Sequence, residues 1–125
     1  MGRPYFPFFV FRFTLSFMTP DEFREIALSF PETEERSHMD HPDFRVGGKI
    51  FATLGYPDGS HGMAALTPTQ QQDFLRMEPA SFKPAAGKWG EGGATIITLE
   101  HANEASVREA LSLAWHNTAP KKLQR

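Results

Sequence analysis

Cysteine is absent from the 125 residues of this chain. Its absence excludes disulfide bonds, thiolate nucleophiles and the zinc sites that are built on cysteine. No residue pattern therefore indicates the redox compartment, and the cytoplasm is the default expectation.

An excess of positive charge is also missing. The formal net charge is −2. Residues 1–17 hold Arg3 and Arg12 and no acidic residue, so the rest of the chain has 11 basic residues against 15 acidic ones and a net charge of −4. A net acidic domain lacks the overall electrostatic footprint of a nucleic-acid-binding protein, which leaves a local basic face as the open possibility.

The most apolar stretch, MGRPYFPFFVFRFTLSF at residues 1–17, is too short and too interrupted for a membrane span. It also lacks the small-residue cleavage site of a secretory signal. We expect no membrane partner. Two interpretations stay open: an upstream extension before a natural start at Met18, or an extra strand or membrane-adherent tail, since its β-propensity is high.

Helix starts are the clearest local signals that are present. Thr19 and Glu22 form a capping box around Pro20, and Thr67 and Gln70 repeat it around Pro68. The first helix is predicted to bury Phe23, Ile26, Ala27 and Phe30 and to stop at Pro31; the second is predicted to end near Met77, with Phe74 and Met77 facing inward. Asn103 is predicted to cap a last helix, whose inward face is Val107, Ala110, Leu111, Ala114 and Trp115.

Strands fill the space between the helices. Two apolar runs flank Gly47-Gly48 and predict a hairpin, residues 37–39 are predicted to begin a short strand, and further strands are predicted at Met63 to Leu66 and Ala94 to Leu99. Residues 80–93 are predicted to be a long, glycine-rich loop. The order α-β-β-β-α-β-α predicts an α+β two-layer sandwich, with helices packed on one face of an antiparallel sheet.

The segment HPDFRVGGKIFATL, after a helix that ends in FPETEE, resembles the MmcQ/YjbR-like family of small bacterial proteins. The match includes Leu66-Thr67-Pro68, Lys88-Trp89-Gly90 and the final VREALSLAWHNTAPKKL, and covers residues 18–123. The resemblance implies one domain over residues 18–125, a fold similar to CyaY-like and type III secretion-chaperone-like domains, and a "double-wing" DNA-binding motif.

A basic and aromatic surface is the best candidate for a binding site. Arg45 and Lys49 flank the hairpin turn, and Lys83, Lys88 and Trp89 lie in the 80–93 segment. If that segment folds over the hairpin, four cations and a stacking ring meet on one face, where they would contact phosphates and an exposed base. His41 completes the predicted nucleic-acid or anion-binding set. Ordinary solvated lysines and a tryptophan that covers a sheet edge are the alternative.

The sequence gives little support for a metal site or for catalysis. His38, Asp40, His41 and Asp43 are close in sequence, but their spacing fits no known zinc signature, so we expect no metal and no cofactor. On a strand, His38 and Asp40 would share a face and His41 would point away. No serine lies in a nucleophile elbow, and we expect no enzymatic activity.

The sequence therefore leaves two candidate functions open. One is a small DNA-binding module. The other is a protein-interaction (chaperone-like) or small-anionic-ligand-binding domain that binds no nucleic acid.

Overall fold

The protein is described by a computed structural model that covers residues 18–124. The two interpretations of residues 1–17 lie outside the described residues.

Four helices and six strands follow one another along the described chain. Their order is α1 (Pro20–Leu28), β1 (Glu34–His38), β2 (His41–Val46), β3 (Lys49–Leu54), β4 (His61–Ala65), α2 (Pro68–Met77), β5 (Phe82–Pro84), α3 (Gly87–Glu91), β6 (Ala94–Thr98) and α4 (Glu104–Thr118). Both predicted capping boxes are formed, and the Asn103 side chain accepts a hydrogen bond from the Ser106 backbone at the start of α4.

The strands form one antiparallel sheet in the order β1-β2-β3-β4-β6-β5. The predicted α+β class and two-layer arrangement are confirmed. The predicted order lacked two strands and one helix: β1, of which only residues 37–39 were expected to form a strand, and β5 and α3, which lie in the segment assigned to a loop.

Helices α1, α2 and α4 cover one face of the sheet. All five residues predicted for the inward face of α4 are buried there, together with Phe23, Phe44, Phe51 and Ile97. Phe74 of α2 joins this core, but Met77 is 60% exposed, so its predicted inward orientation is wrong. The reason is that α2 ends at Met77, beside Glu78, and Phe74 is its buried apolar side chain.

The prediction of a loop over residues 80–93 is also wrong. The segment contains strand β5, which pairs with β6, and the short helix α3. Elements of three and five residues are too short to show a hydrophobic period, so the sequence pattern alone resembled a loop. No helix within residues 18–124 has both the length and the apolar character needed to cross a membrane.

Candidate functional site

One row of side chains crosses the face of the sheet that α1, α2 and α4 leave open. Directly paired residues on neighbouring strands project from the same face. The pairings run from Arg36 to Asp43, Thr53, Met63, Ile96 and Lys83, one residue from each of the six strands. We call this surface the open face. It carries polar and charged residues at both ends and apolar residues in the middle.

The β1–β2 hairpin brings two histidines together at one end of the open face. Met39 and Asp40 form its turn with φ angles of 49° and 65°, the left-handed pair that is typical of a type I′ turn. His38 and His41 are therefore cross-strand partners, with ring centroids 6.4 Å apart. The expectation that His41 points away from His38 is wrong, because a two-residue turn reverses the chain between them.

Asp43 belongs to strand β2 of this hairpin and is fully buried. Its carboxylate accepts hydrogen bonds from Arg45 Nε at 2.8 Å and Arg45 Nη2 at 3.0 Å, and His38 Nδ1 lies 2.7 Å from Oδ2. The Arg45 hydrogen bond is the largest of the effects that hold the pKa of Asp43 below its usual value, with His38 adding to it and burial opposing it. Because an ionised Asp43 can only accept hydrogen bonds, His38 Nδ1 carries the proton of the hydrogen bond between them.

A cavity of about 280 Å³ opens above these residues. It is lined by His38, Met39, His41, Thr53, Tyr56 and Trp89. The rings form a connected set: Tyr56 packs against Trp89 at 5.6 Å and edge-on against His41 at 6.0 Å. Met39 is 85% exposed and Trp89 is 47% exposed, so the rim of the cavity presents large apolar side chains to solvent.

Thr53, unlike its cross-strand partner Asp43, has a polar side chain that forms no hydrogen bond within the described residues. It is 1% exposed, and its Oγ1 is a buried side-chain oxygen without a hydrogen-bond partner among the described residues. Leaving a buried hydroxyl unpaired costs about 1–3 kcal/mol. Thr53 also lines the cavity, so the unpaired side-chain oxygen belongs to a residue of the cavity wall.

Helix α3 holds Trp89 over the cavity through close backbone packing. Gly90 is so near the chain at Ala85 that a side chain would not fit: a Cβ atom would lie 1.7 Å from the Ala85 carbonyl oxygen. The buried Gln71 side chain of α2 donates hydrogen bonds to the carbonyl oxygens of Gly90 and Ala94, each at 3.0 Å. Trp89 is thus presented by a fixed element.

Tyr56 is presented by the turn between β3 and β4. Asp58 in this turn accepts hydrogen bonds from the backbone and the hydroxyl of Ser60, and lies 2.8 Å from His61 Nδ1. The Ser60 hydroxyl contributes most to lowering the pKa of Asp58 to about 2. The turn is therefore held by a carboxylate that stays ionised through the physiological range.

A second cavity, of about 260 Å³, lies on the other side of Tyr56. It is lined by Tyr56, Pro57, Lys83, Pro84, Ala86 and Ile96. Lys83 is exposed, and among residues 18–124 neither it nor Lys88 takes part in an ion pair.

The structure brings part of the predicted binding set together. His41 and Trp89 line the first cavity, Lys83 lines the second, and Lys88 is exposed beside Trp89 on α3. Arg45 lies on the open face but is engaged by Asp43.

Lys49 is placed apart from the other five residues. It pairs with Val46, which is buried in the core under the helices, so Lys49 projects from the opposite face of the sheet. The predicted convergence of four cations on one face is wrong, because the two-residue Gly47-Gly48 turn pairs Val46 with Lys49 and Arg45 with Ile50, which places Arg45 and Lys49 on opposite faces of the sheet.

Four residues of the site were not predicted to be functional: Met39, Thr53, Tyr56 and, as a member of a binding site, His38. The type I′ turn that positions His38 has no glycine to mark it. Tyr56 follows the strand in a segment that was assigned only to a turn. The role of Thr53 depends on register and burial, which the sequence does not display.

The fold and the site define a small two-layer α+β domain with a cavity on its open face. The family model described as YjbR matches residues 28–117, more than half of the chain, and the chain therefore belongs to the YjbR family. The resemblance drawn from the sequence is confirmed.

The structure is similar to the crystal structure of the Deinococcus radiodurans protein DR2400, which carries the family-model domain DUF419. The TM-score is 0.66 at 18% sequence identity, and the match covers 79% of this chain and 77% of that one. At this identity the likeness shows the fold alone. The comparison with curated proteins found no match.

Proposed function

We propose that this protein is a binding module for a small molecule with a planar ring, which occupies the cavity above Thr53. The observation that carries the proposal is made at Thr53, which lines that cavity and whose buried hydroxyl lacks a partner among the described residues. Native proteins pair nearly all buried polar atoms, so an unpaired one in a cavity wall is typical of a site whose partner arrives with the ligand.

The cavity walls favour a planar ring. Tyr56, Trp89 and His41 offer aromatic surfaces in tilted and edge-on orientations, and a ring between them gains both burial and favourable aromatic geometry. Met39 adds a flexible thioether that adapts to the shape of an inserted ring. A ligand would also cover the exposed rims of Met39 and Trp89.

DNA binding is the alternative function, and it stays a prediction. Lys49 and Lys88 are exposed and available to phosphates, but Lys49 lies on the helix-covered side of the sheet, next to Val46. Its cross-strand partner Val46 lies at the far end of β2 from His41, five residues away, or about 17 Å along the strand. The cations are thus dispersed, which favours the small-ligand proposal. We propose binding without turnover, in the cytoplasm.

The two tryptophans provide a test by nuclear magnetic resonance. Trp89 lines the cavity, whereas Trp115 is 3% exposed in the core and its Nε1 donates a hydrogen bond to the Pro31 carbonyl at 3.0 Å. Titration of the ¹⁵N-labelled protein with tryptophol, a neutral indole alcohol, should shift the indole N–H signal of Trp89 in a saturable way. The signal of Trp115 should stay in place.

Titration with a DNA duplex at low salt is the comparison. Absence of any tryptophol-induced shift at Trp89 would contradict the proposal. Duplex binding that falls steeply with salt and weakens in K49A and K88A would favour the DNA alternative instead.

A further inference from the structure

We infer that the ligand of this site carries an anionic group, a carboxylate or a phosphate monoester, which binds at Lys83 while its planar ring occupies the cavity above Thr53. The inference rests on the proposed function and adds the second half of the binding site.

The two cavities of the open face adjoin one another. They share Tyr56 as a common wall. Thr53 and Lys83 belong to the same transverse row, with Met63 and Ile96 between them. Their Cα atoms are separated by three strand spacings, about 14 Å, and the long lysine side chain shortens the gap that a ligand has to bridge.

Size favours an occupant that uses both halves. The cavities measure about 280 Å³ and about 260 Å³. Each falls just below the roughly 300–1,000 Å³ that is usual for small-molecule sites, and together they lie within that range. The boundary between them is apolar, since the shared Tyr56 packs against a buried cluster of Met63, Ala85, Ala94 and Ile96. A short hydrocarbon linker suits a path across the Tyr56 side chain.

The positive charge of Lys83 determines which chemical group suits the second cavity. Lys83 is exposed, lines its cavity, and has no ion-pair partner among residues 18–124. By contrast, the positive charge of Arg45 at the other end of the row is already paired with Asp43. An anion therefore gains a charge-assisted hydrogen bond at Lys83 without displacing a protein carboxylate.

Three probes with the same indole ring and two-carbon linker separate the possibilities. Tryptophol is neutral, indolepropionate ends in a carboxylate, and tryptophol phosphate ends in a phosphate monoester. Calorimetric titration should give tighter binding for one or both anions than for the alcohol, and the stronger of the two identifies the preferred group. K83Q should weaken anion binding roughly 1.5-fold to fivefold, the range for an exposed charge pair, and leave tryptophol unchanged.

K49Q is the matched control, because it removes the same charge from the opposite face and should change none of the three affinities. Equal binding of alcohol and anions, or equal effects of K83Q and K49Q, would overturn the anion subsite while leaving the ring site intact. Failure of all three probes to bind the folded protein would overturn the ring site and the anion subsite together.

Discussion

Asp43 and Thr53 are direct partners across the β2–β3 ladder, and both are buried, yet only Asp43 finds hydrogen-bond partners among the described residues. Arg45 and His38 converge on the carboxylate from its own hairpin. The Thr53 hydroxyl has no such partner among the described residues, and Thr53 lines the cavity. This difference between two paired polar residues marks the open face as a candidate binding site.

Replacing Thr53 by valine should separate folding from binding. T53V removes an unpaired hydroxyl and keeps a β-branched side chain, so we expect the free energy of unfolding to rise by about 1 kcal/mol in denaturant titrations. Tryptophol should bind T53V more weakly, because its indole N–H loses an acceptor. N-methyltryptophol, which lacks that donor, should bind both proteins alike. A loss of stability in T53V would show that the hydroxyl is paired in the free protein.

Replacing Asp43 by asparagine should destabilise the fold. D43N leaves the Arg45 and His38 groups without their carboxylate, and since both still reach solvent we expect a loss on the order of 2 kcal/mol, below the value for a fully buried pair. D73N is the matched control, because Asp73 pairs with Arg76 on the exposed side of α2 and should matter little.

Acid should narrow the difference between wild type and D43N. The pKa of Asp43 is lowered in the folded state, so its ionised form contributes stability above the unfolded value of about 4, and this is lost as the pH falls through the folded value. Unfolding measured from neutral pH down to about pH 2 should show the two proteins converging below about pH 4. A gap that stays constant across that range would contradict the ionised assignment.

Replacing Gly90 by alanine should disturb the site through the backbone. The new Cβ would meet the Ala85 carbonyl oxygen at 1.7 Å, so α3 has to move and carry Trp89 with it. We expect a cost of about 1–3 kcal/mol, as for other overpacked positions, and an altered Trp89 indole signal. G92A is the control, since its Cβ would meet atoms only at 3.5 Å. Equal effects of G90A and G92A would argue against the close packing of α3.

Two residues of α2 test its orientation. M77Q should change the free energy of unfolding by less than about 0.5 kcal/mol, because Met77 is exposed. F74A should cost about 3–5 kcal/mol, because Phe74 is buried against Phe82 with ring centroids 4.7 Å apart. Similar losses of unfolding free energy in M77Q and F74A would show that Met77 faces inward, as the sequence predicted.

Local chemistry made the framework predictable from the sequence. The capping boxes at Thr19 and Thr67 act within four residues, and the Gly47-Gly48 turn combines two residues that tolerate positive φ. The apolar face of α4 repeats over 15 residues, long enough for its period to be clear.

The candidate site was less predictable because it depends on non-local geometry. Thr53 and Lys49 are four residues apart on β3 and would share a face in a regular strand, but the bulge at Phe44/Arg45 places them on opposite faces, and no residue type there indicates it. The turn at Met39 and Asp40 uses two non-glycine residues at positive φ, which is uncommon outside aspartate and asparagine. The isolation of the Thr53 hydroxyl follows from which strands flank it, and so appears only after the sheet is assembled.

The most direct test of the central claim is a crystal structure of the protein grown with saturating indolepropionate. We expect the indole ring to lie between Tyr56, Trp89 and Met39, with its N–H within hydrogen-bond distance of Thr53 Oγ1 and its carboxylate directed toward Lys83. A ligand bound elsewhere, or a cavity above Thr53 that holds none at saturation, would contradict it.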